Sequence, residues 1–189
     1  SSEDKLYAAT DAGLYRNDDG HTWQALVGDL MAQDVWDLAM APSLTDTLYA
    51  ATSSALFKSE DSGDTWRRFF SGDFRSPALD PLSPQIIYAA ADGLLLLSRD
   101  AGASWGEVPL PDGMAVDLIA ISAEAPNNLW AASKSAGQVV LGEIDHALFA
   151  REILERGHGQ FGLENYTAAQ SLYRQALDMF TASDDLAGQ

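Results

Sequence analysis

Cysteine is absent from these 189 residues. Disulfides, thiolate nucleophiles and Cys-ligated metals are therefore excluded. Basic residues are scarce, with 11 Lys and Arg against 28 Asp and Glu and a formal net charge of -17. So acidic a surface repels phosphate backbones and anionic lipid faces, and no nucleic-acid partner is expected. No uncharged apolar run approaches the ~18 residues that a bilayer crossing requires, so membrane insertion is not expected. The apolar block from Leu94 to Leu97 is only strand-sized. The opening Ser1-Ser2-Glu3-Asp4 does not read as a signal peptide, and a leader cleaved beforehand leaves export open. The expected location is thus a soluble one, cytoplasmic or exported. His21, His146 and His158 share no ligand spacing, and neither a G-x-S-x-G elbow nor a phosphate-binding glycine loop after a strand is present. No metal, cofactor or catalytic residue is expected.

What the chain does contain is a repeat. Leu6-Tyr7-Ala8-Ala9-Thr10 matches Leu48-Tyr49-Ala50-Ala51-Thr52, Ile87-Tyr88-Ala89-Ala90-Ala91 and Leu129-Trp130-Ala131-Ala132-Ser133. Behind the first three stands a second shared block: Arg16-Asn17-Asp18-Asp19-Gly20-His21-Thr22-Trp23, Ser59-Glu60-Asp61-Ser62-Gly63-Asp64-Thr65-Trp66 and Ser98-Arg99-Asp100-Ala101-Gly102-Ala103-Ser104-Trp105. Gly20 and Gly63 are 43 residues apart, and Gly63 and Gly102 are 39 apart. Such a period suits one four-stranded propeller blade of about 40 to 45 residues.

Each block lies between two apolar strands and reads as a hairpin turn. Glycine supplies positive φ, the Asp carboxylate accepts turn N–H groups, and the Trp opens the last strand and packs between sheets. The structural positions are then Asp18, Gly20 and Trp23; Asp61, Gly63 and Trp66; and Asp100, Gly102 and Trp105. The blocks resemble the Asp-box, S-x-D-x-G-x-T-W, of the BNR-like propellers in sialidases, sortilin-type receptors, some glycoside hydrolases and photosystem assembly factors. The first copy departs by Arg16 in place of Ser, and the fourth repeat has Ser135-Ala136-Gly137 where a box would stand.

The strand pattern expected is Val35–Ala41, Thr47–Ser53, Ala55–Glu60 and Thr65–Phe70, with Pro42–Asp46 as a turn. It is followed by Phe74–Leu79, Gln85–Ala91, Leu94–Arg99 and Ser104–Val108. The fourth unit holds Ala115–Ser122, Asn128–Ser133 and Gln138–Ile144. The fold class expected is mainly β, an Asp-box propeller segment over residues 1–144. Three arrangements remain open: a four-bladed ring, a piece of a larger ring, or a ring completed by another copy, since an unpaired blade exposes sheet edges.

From residue 145 the period changes to that of helices, with His146–Arg156 and Glu164–Phe180 free of proline. The second half resembles a tetratricopeptide repeat: from Gly157, Ala169, Tyr173 and Ala176 fall 12, 16 and 19 residues later, and Asn165-Tyr166 fits the start of the second helix. Arg156, Gln160 and Thr181 depart from that motif. Residues 145–189 are read as a tetratricopeptide-like tail that continues into a further repeat, or as a helical hairpin capping the last blade.

The innermost strands of a propeller line its channel. Counting back about 12 residues from each repeated motif gives Asp37, Arg75 and Asp117 at matching positions, each within a residue of one another, with Trp36 alongside. These four, with Tyr166 of the tail, are the expected ligand or partner contacts; an ion pair of Arg75 with both carboxylates is one arrangement. Phe74-Arg75-Ser76-Pro77 also resembles the F/Y-R-x-P motif of sialidases, although it follows the second box. The expected function is a non-catalytic interaction scaffold with a protein partner. Alternatives are a carbohydrate-active enzyme or lectin-like propeller using Asp37 and Asp117, and a self-assembling structural subunit.

Overall fold

The computed structural model describes residues 5–145 except 27, 32, 42–43, 111–113 and 123–126. Of the tail it describes Arg151, Glu155, Gln170, Tyr173, Arg174 and Ala176, each in α-helical conformation. Tyr166, Gly157, Ala169 and the remaining tail positions read above lie outside the described residues. Among the described residues no helix is long and apolar enough to cross a membrane.

Among the described residues fourteen strands form four antiparallel sheets of three, four, four and three strands, each a meander in chain order. Sheet 1 holds β1 (Leu6–Thr10), β2 (Gly13–Asn17) and β3 (Trp23–Ala25). Sheet 2 holds β4 (Val35–Ala41), β5 (Leu44–Thr52), β6 (Ala55–Ser59) and β7 (Arg67–Ser71). Sheet 3 holds β8 (Phe74–Leu79), β9 (Ile87–Ala91), β10 (Leu94–Ser98) and β11 (Gly106–Val108). Sheet 4 holds β12 (Leu118–Ile121), β13 (Asn128–Ser133) and β14 (Gln138–Glu143). The expected turn over Pro42–Asp46 is shorter than read, because β5 already begins at Leu44, which pairs with Ala41. The innermost strands β4, β8 and β12 follow one another side by side, β4 against β8 and β8 against β12.

Side-chain alternation along each strand sends neighbouring residues to opposite seams. In β5, Leu48 and Ala50 join the core between sheets 1 and 2, while Tyr49 and Ala51 join the core between sheets 2 and 3. In β9, Ile87, Ala89 and Ala91 face sheet 2, and Tyr88 and Ala90 face sheet 4. Strands covered on both faces need apolar residues without a break, and β9 is buried along its whole length. The alanines keep the sheets close. Ala176 of the tail is buried in the same core as Tyr88, Leu97, Leu129 and Ile144, at the seam of sheets 3 and 4.

The second and third turns are built alike. Ser59 Oγ accepts the Gly63 N–H at 2.8 Å and donates to Asp61 Oδ1 at 2.8 Å. Asp61 in turn accepts the Thr65 N–H at 2.8 Å and the Thr65 hydroxyl. Ser98, Asp100, Gly102 and Ser104 repeat the scheme, with Gly102 N to Ser98 Oγ at 2.7 Å and Ser104 N to Asp100 Oδ1 at 2.8 Å. Two successive residues take positive φ in each turn, Ser62 and Gly63 at 57° and 87°, Ala101 and Gly102 at 57° and 89°. The indole N–H of Trp66 donates to Gly63 O at 3.0 Å, and that of Trp105 to Gly102 O at 3.1 Å. Both rings pack on the preceding sheet, Trp66 with Leu14 and Leu26 and Trp105 about 6 Å from the ring of Phe70, while Trp105 also meets Phe74 of its own sheet.

The first turn corrects the sequence alignment. Leu6 pairs with Asn17 as Leu48 pairs with Ser59 and Ile87 with Ser98, so Asn17, not Arg16, holds the serine position. Asn17 Oδ1 accepts Gly20 N at 2.7 Å, and Asp19 Oδ1 accepts His21 N and Thr22 N at 2.8 and 2.7 Å. Asp19 therefore does the work assigned to Asp18. Arginine carries no acceptor for the glycine N–H, which is why the turn draws on Asn17 and closes one residue shorter. Asp18 pairs with Arg16, whose Nη1 reaches across to Ser62 O at 2.8 Å and Asp64 Oδ1 at 2.6 Å in sheet 2. Trp23 is also a correction: it is 48% exposed, where Trp66 is 8% exposed.

Candidate functional site

Two β-bulges stand at the same level of the neighbouring inner strands β4 and β8. Val35 pairs with Thr52 and Asp37 with Ala51, leaving Trp36 as the extra residue; Phe74 pairs with Ala91 and Ser76 with Ala90, leaving Arg75. A bulge releases one residue from the ladder and re-aims its side chain. The two released side chains meet, with the Arg75 guanidinium 4.0 Å from the centre of the Trp36 ring. Asp117 stands just before β12, its N–H bonded to Ala132 O at 2.9 Å. Leu118 pairs with Ala132, so Trp36, Arg75 and Asp117 occupy equivalent positions, and Asp37 lies one residue further on, level with Ser76 and Leu118. Asp37 thus stands within one residue of the positions of Arg75 and Asp117, as the count along the chain expects, and Trp36 is the residue in full register with them.

These residues surround one recess of about 380 Å³, lined by Trp36, Asp37, Arg75, Asp117, Leu118 and Lys134. Arg75 does not bridge the two carboxylates; its ion pair is with Asp73, Nη2 to Oδ2 at 3.2 Å. Asp37 is held from two sides, by the Ser76 hydroxyl on Oδ2 at 2.7 Å and by the Leu38 N–H on Oδ1 at 2.8 Å. Burial pushes its carboxyl pKa up, and these two hydrogen bonds pull against that shift. Ser76 Oγ also accepts the Ile119 N–H at 3.2 Å. One hydroxyl thereby ties together the inner strands of sheets 2, 3 and 4. Asp117 Oδ2 accepts the Lys134 N–H at 2.7 Å.

The recess thus offers a cation backed by an aromatic ring, a lysine and two carboxylates, with Trp36, Asp37 and Arg75 on strands and Asp117 and Lys134 at strand ends. Lys134 and Ser76 were not singled out from the sequence. Ser76 falls inside the Phe74-Arg75-Ser76-Pro77 motif, whose Arg drew attention instead; Lys134 follows the repeated motif of sheet 4 and carried no pattern of its own.

A second cavity of about 510 Å³ lies at the outer strands between sheets 3 and 4. Its walls are mainly apolar, with Tyr88, Leu95 and Val108 on one side and Leu129, Ala131 and Val140 on the other. In the two preceding seams a tryptophan from the S-x-D-x-G-x-T-W turn packs back on the sheet before it, and the repeat of sheet 4 has no such turn.

The sheet order, the successive inner strands and the alternating seams define a β-propeller-like fold. No protein-family model and no curated protein matches the chain. Solved structures do match. An auxiliary nutrient binding protein from Bacteroides thetaiotaomicron VPI-5482 is similar with a TM-score of 0.61 at 10% identity, over 75% of this chain and 36% of that one. An ancestral GH74 enzyme has a TM-score of 0.59 at 18% identity, over 74% of this chain and 22% of that one. YCF48 bound to D1 peptide has a TM-score of 0.58 at 16% identity, over 77% of this chain and 49% of that one. The chain therefore spans between about a fifth and a half of these structures, which share its fold.

Proposed function

We propose that the four sheets are Asp-box propeller blades and that the chain is a non-catalytic binding module. Its recognition surface is the recess at Trp36, Asp37, Arg75 and Asp117, and its partner is a protein segment of mixed charge. The observation that carries this reading is the pair of bulges that lifts Trp36 and Arg75 out of consecutive inner strands into one stacked unit. Bulges cost ladder hydrogen bonds, and placing two of them at one mouth serves a surface more than a core. Arginine and tryptophan are also the side chains that anchor interfaces most often. In support, one structure of similar fold holds a D1 peptide and another is a nutrient binding protein. The helical tail, with Tyr166, belongs to the same reading as a tetratricopeptide-like second contact.

The test is binding of the full chain to an array of peptides graded in charge and aromatic content, followed by titration of the best binder. Arg75→Ala and Asp117→Asn should weaken that binding by about tenfold or more each, about 1.4 kcal/mol. Equal affinity in wild type and both variants would remove the recess as the surface.

The raised carboxyl of Asp37 favours a second reading, a carbohydrate-active propeller, for which a GH74 enzyme of similar fold is the supporting likeness. Against it stands the bonding of Asp37, which commits both oxygens to Ser76 and Leu38. Release of reducing ends from a soluble plant polysaccharide, abolished in Asp37→Asn, would replace the binding reading with this one.

A further inference from the structure

Where a neighbouring sheet is present, the repeated motif sends the same position toward it. Its aromatic residue faces the following sheet: the Tyr7 hydroxyl donates to Ser62 O at 2.9 Å, Tyr49 lies in the core of sheets 2 and 3, and Tyr88 in that of sheets 3 and 4. Its leading aliphatic residue faces the preceding sheet, and Leu48, Ile87 and Leu129 are 0%, 0% and 6% exposed. Each outer sheet breaks one of these rules, sheet 1 the second and sheet 4 the first. Leu6 is 52% exposed and Trp130 is 43% exposed.

Neither residue is isolated. Leu6 pairs with Asn17 and Asn17 with Trp23, which puts Leu6 and the exposed Trp23 in one row on the outer face of sheet 1. Trp130 pairs with Leu141, and Ala132 with both Leu118 and Val139, so these residues share the outer face of sheet 4. Leu118, Val139 and Leu141 are all exposed. A contiguous exposed apolar face on a folded sheet marks an interaction surface.

Each internal seam joins a face of the Trp130 kind to a face of the Leu6 kind. Among the described residues one of each stays uncovered, and together they are the two halves of another such seam. Among the described residues no contact comparable to those between successive sheets joins sheet 4 to sheet 1 of the same chain. We propose that this chain associates head to tail with a second copy, the outer face of sheet 4 on one copy packing against the outer face of sheet 1 on the other. Trp23 then reaches the neighbour's sheet 4 as Trp66 reaches sheet 1 and Trp105 reaches sheet 2. Two copies bring together eight sheets, within the usual range of about four to eight for closed propellers, so this head-to-tail contact closes in place of growing into a filament.

The experiment is solution mass by light scattering on the full chain over about a hundredfold range of concentration, with two variants at solvent-exposed positions. Val139→Asp spoils only the sheet 4 face, and Leu6→Asp only the sheet 1 face. Wild type should show a species of twice the monomer mass that grows with concentration. Each variant alone should run as a monomer, and an equimolar mixture should recover a dimer, because the pair still owns one intact seam. Wild type that stays monomeric throughout, a single variant that still associates, or a mixture that fails to recover would each overturn the inference. Circular dichroism of both variants separates lost association from lost folding; an unfolded variant is replaced by Val139→Ser or Leu6→Ser, and the same outcomes apply.

Discussion

The turn joining β6 to β7 and the turn joining β2 to β3 carry nearly the same residues and are built differently. In the former, a serine, an aspartate and a threonine close a compact hydrogen-bonded ring under a tryptophan that is buried against the neighbouring sheet. In the latter, Asn17 and Asp19 take over, the loop is shorter and Trp23 stands in solvent. The difference teaches that the motif has two separable jobs. Its polar residues hold a chain reversal, which survives substitution by any side chain with a suitable acceptor. Its tryptophan seals a seam, which needs a neighbouring sheet.

The sharpest way to break this comparison is to truncate the tryptophans. Trp66→Ala should destabilise by about 3–5 kcal/mol, the usual cost of emptying a buried aromatic site, whereas Trp23→Ala should cost under ~1 kcal/mol in the monomer. Urea midpoints of the two variants at low protein concentration decide it, and equal losses would show that Trp23 is buried after all.

The glycines give the next largest contrast. A Cβ on Gly102 would come within 2.1 Å of the Phe69 ring, and one on Gly20 would meet nothing within 4 Å. Both have positive φ, so each alanine pays the left-handed strain, but only Gly102→Ala adds overpacking of about 1–3 kcal/mol. Thermal unfolding of both variants, compared with wild type, tests the split.

Ser59→Ala leaves the Gly63 N–H in a buried turn without its acceptor and should cost about 1–3 kcal/mol. Arg16→Ala removes a cross-sheet pair whose partner Asp64 is largely exposed and should cost at most ~1 kcal/mol. A loss for Arg16→Ala as large as that for Ser59→Ala would mean that the cross-sheet arginine, not the turn, holds sheet 1 in place.

The smallest effect compares two carboxylates in pH. Asp37 is shifted upward from its ordinary 3.8 by burial, and Asp61 downward by the hydroxyl and N–H of Thr65. A raised folded pKa contributes stability that is complete below 3.8 and lost as pH rises through the folded value. A lowered one contributes stability that is present above 3.8 and lost as pH falls through the folded value. Asp37→Asn should therefore gain on wild type from acid toward neutral pH, and Asp61→Asn should lose ground over the same interval. Parallel slopes for the two variants, read from urea midpoints at several pH values, would contradict these opposite environments.

Much of the fold was legible in the residues themselves. The spacing of the repeated motifs places β4, β8 and β13 at their observed bounds and divides the described strands into sheets of three, four, four and three, because a strand covered on both faces must be apolar without interruption. The glycines of the turns were legible for a related reason: positive φ restricts the choice of residue whatever surrounds it. The recess was legible only in part. Asp37, Arg75 and Asp117 could be counted onto neighbouring inner strands, but the count could not reveal two bulges, the stacking of Arg75 on Trp36, or Ser76 as the hydroxyl that links three strands.

Local sequence, then, determined the strands, the turns and the order of the sheets, since hydrophobic alternation and backbone sterics act over a few residues. Tertiary structure alone decided which aspartate serves the first turn, which tryptophans are covered and which side chains share the recess. Those outcomes depend on ladder register and on the neighbouring sheet, and a single residue of register moves a side chain from one face of a sheet to the other.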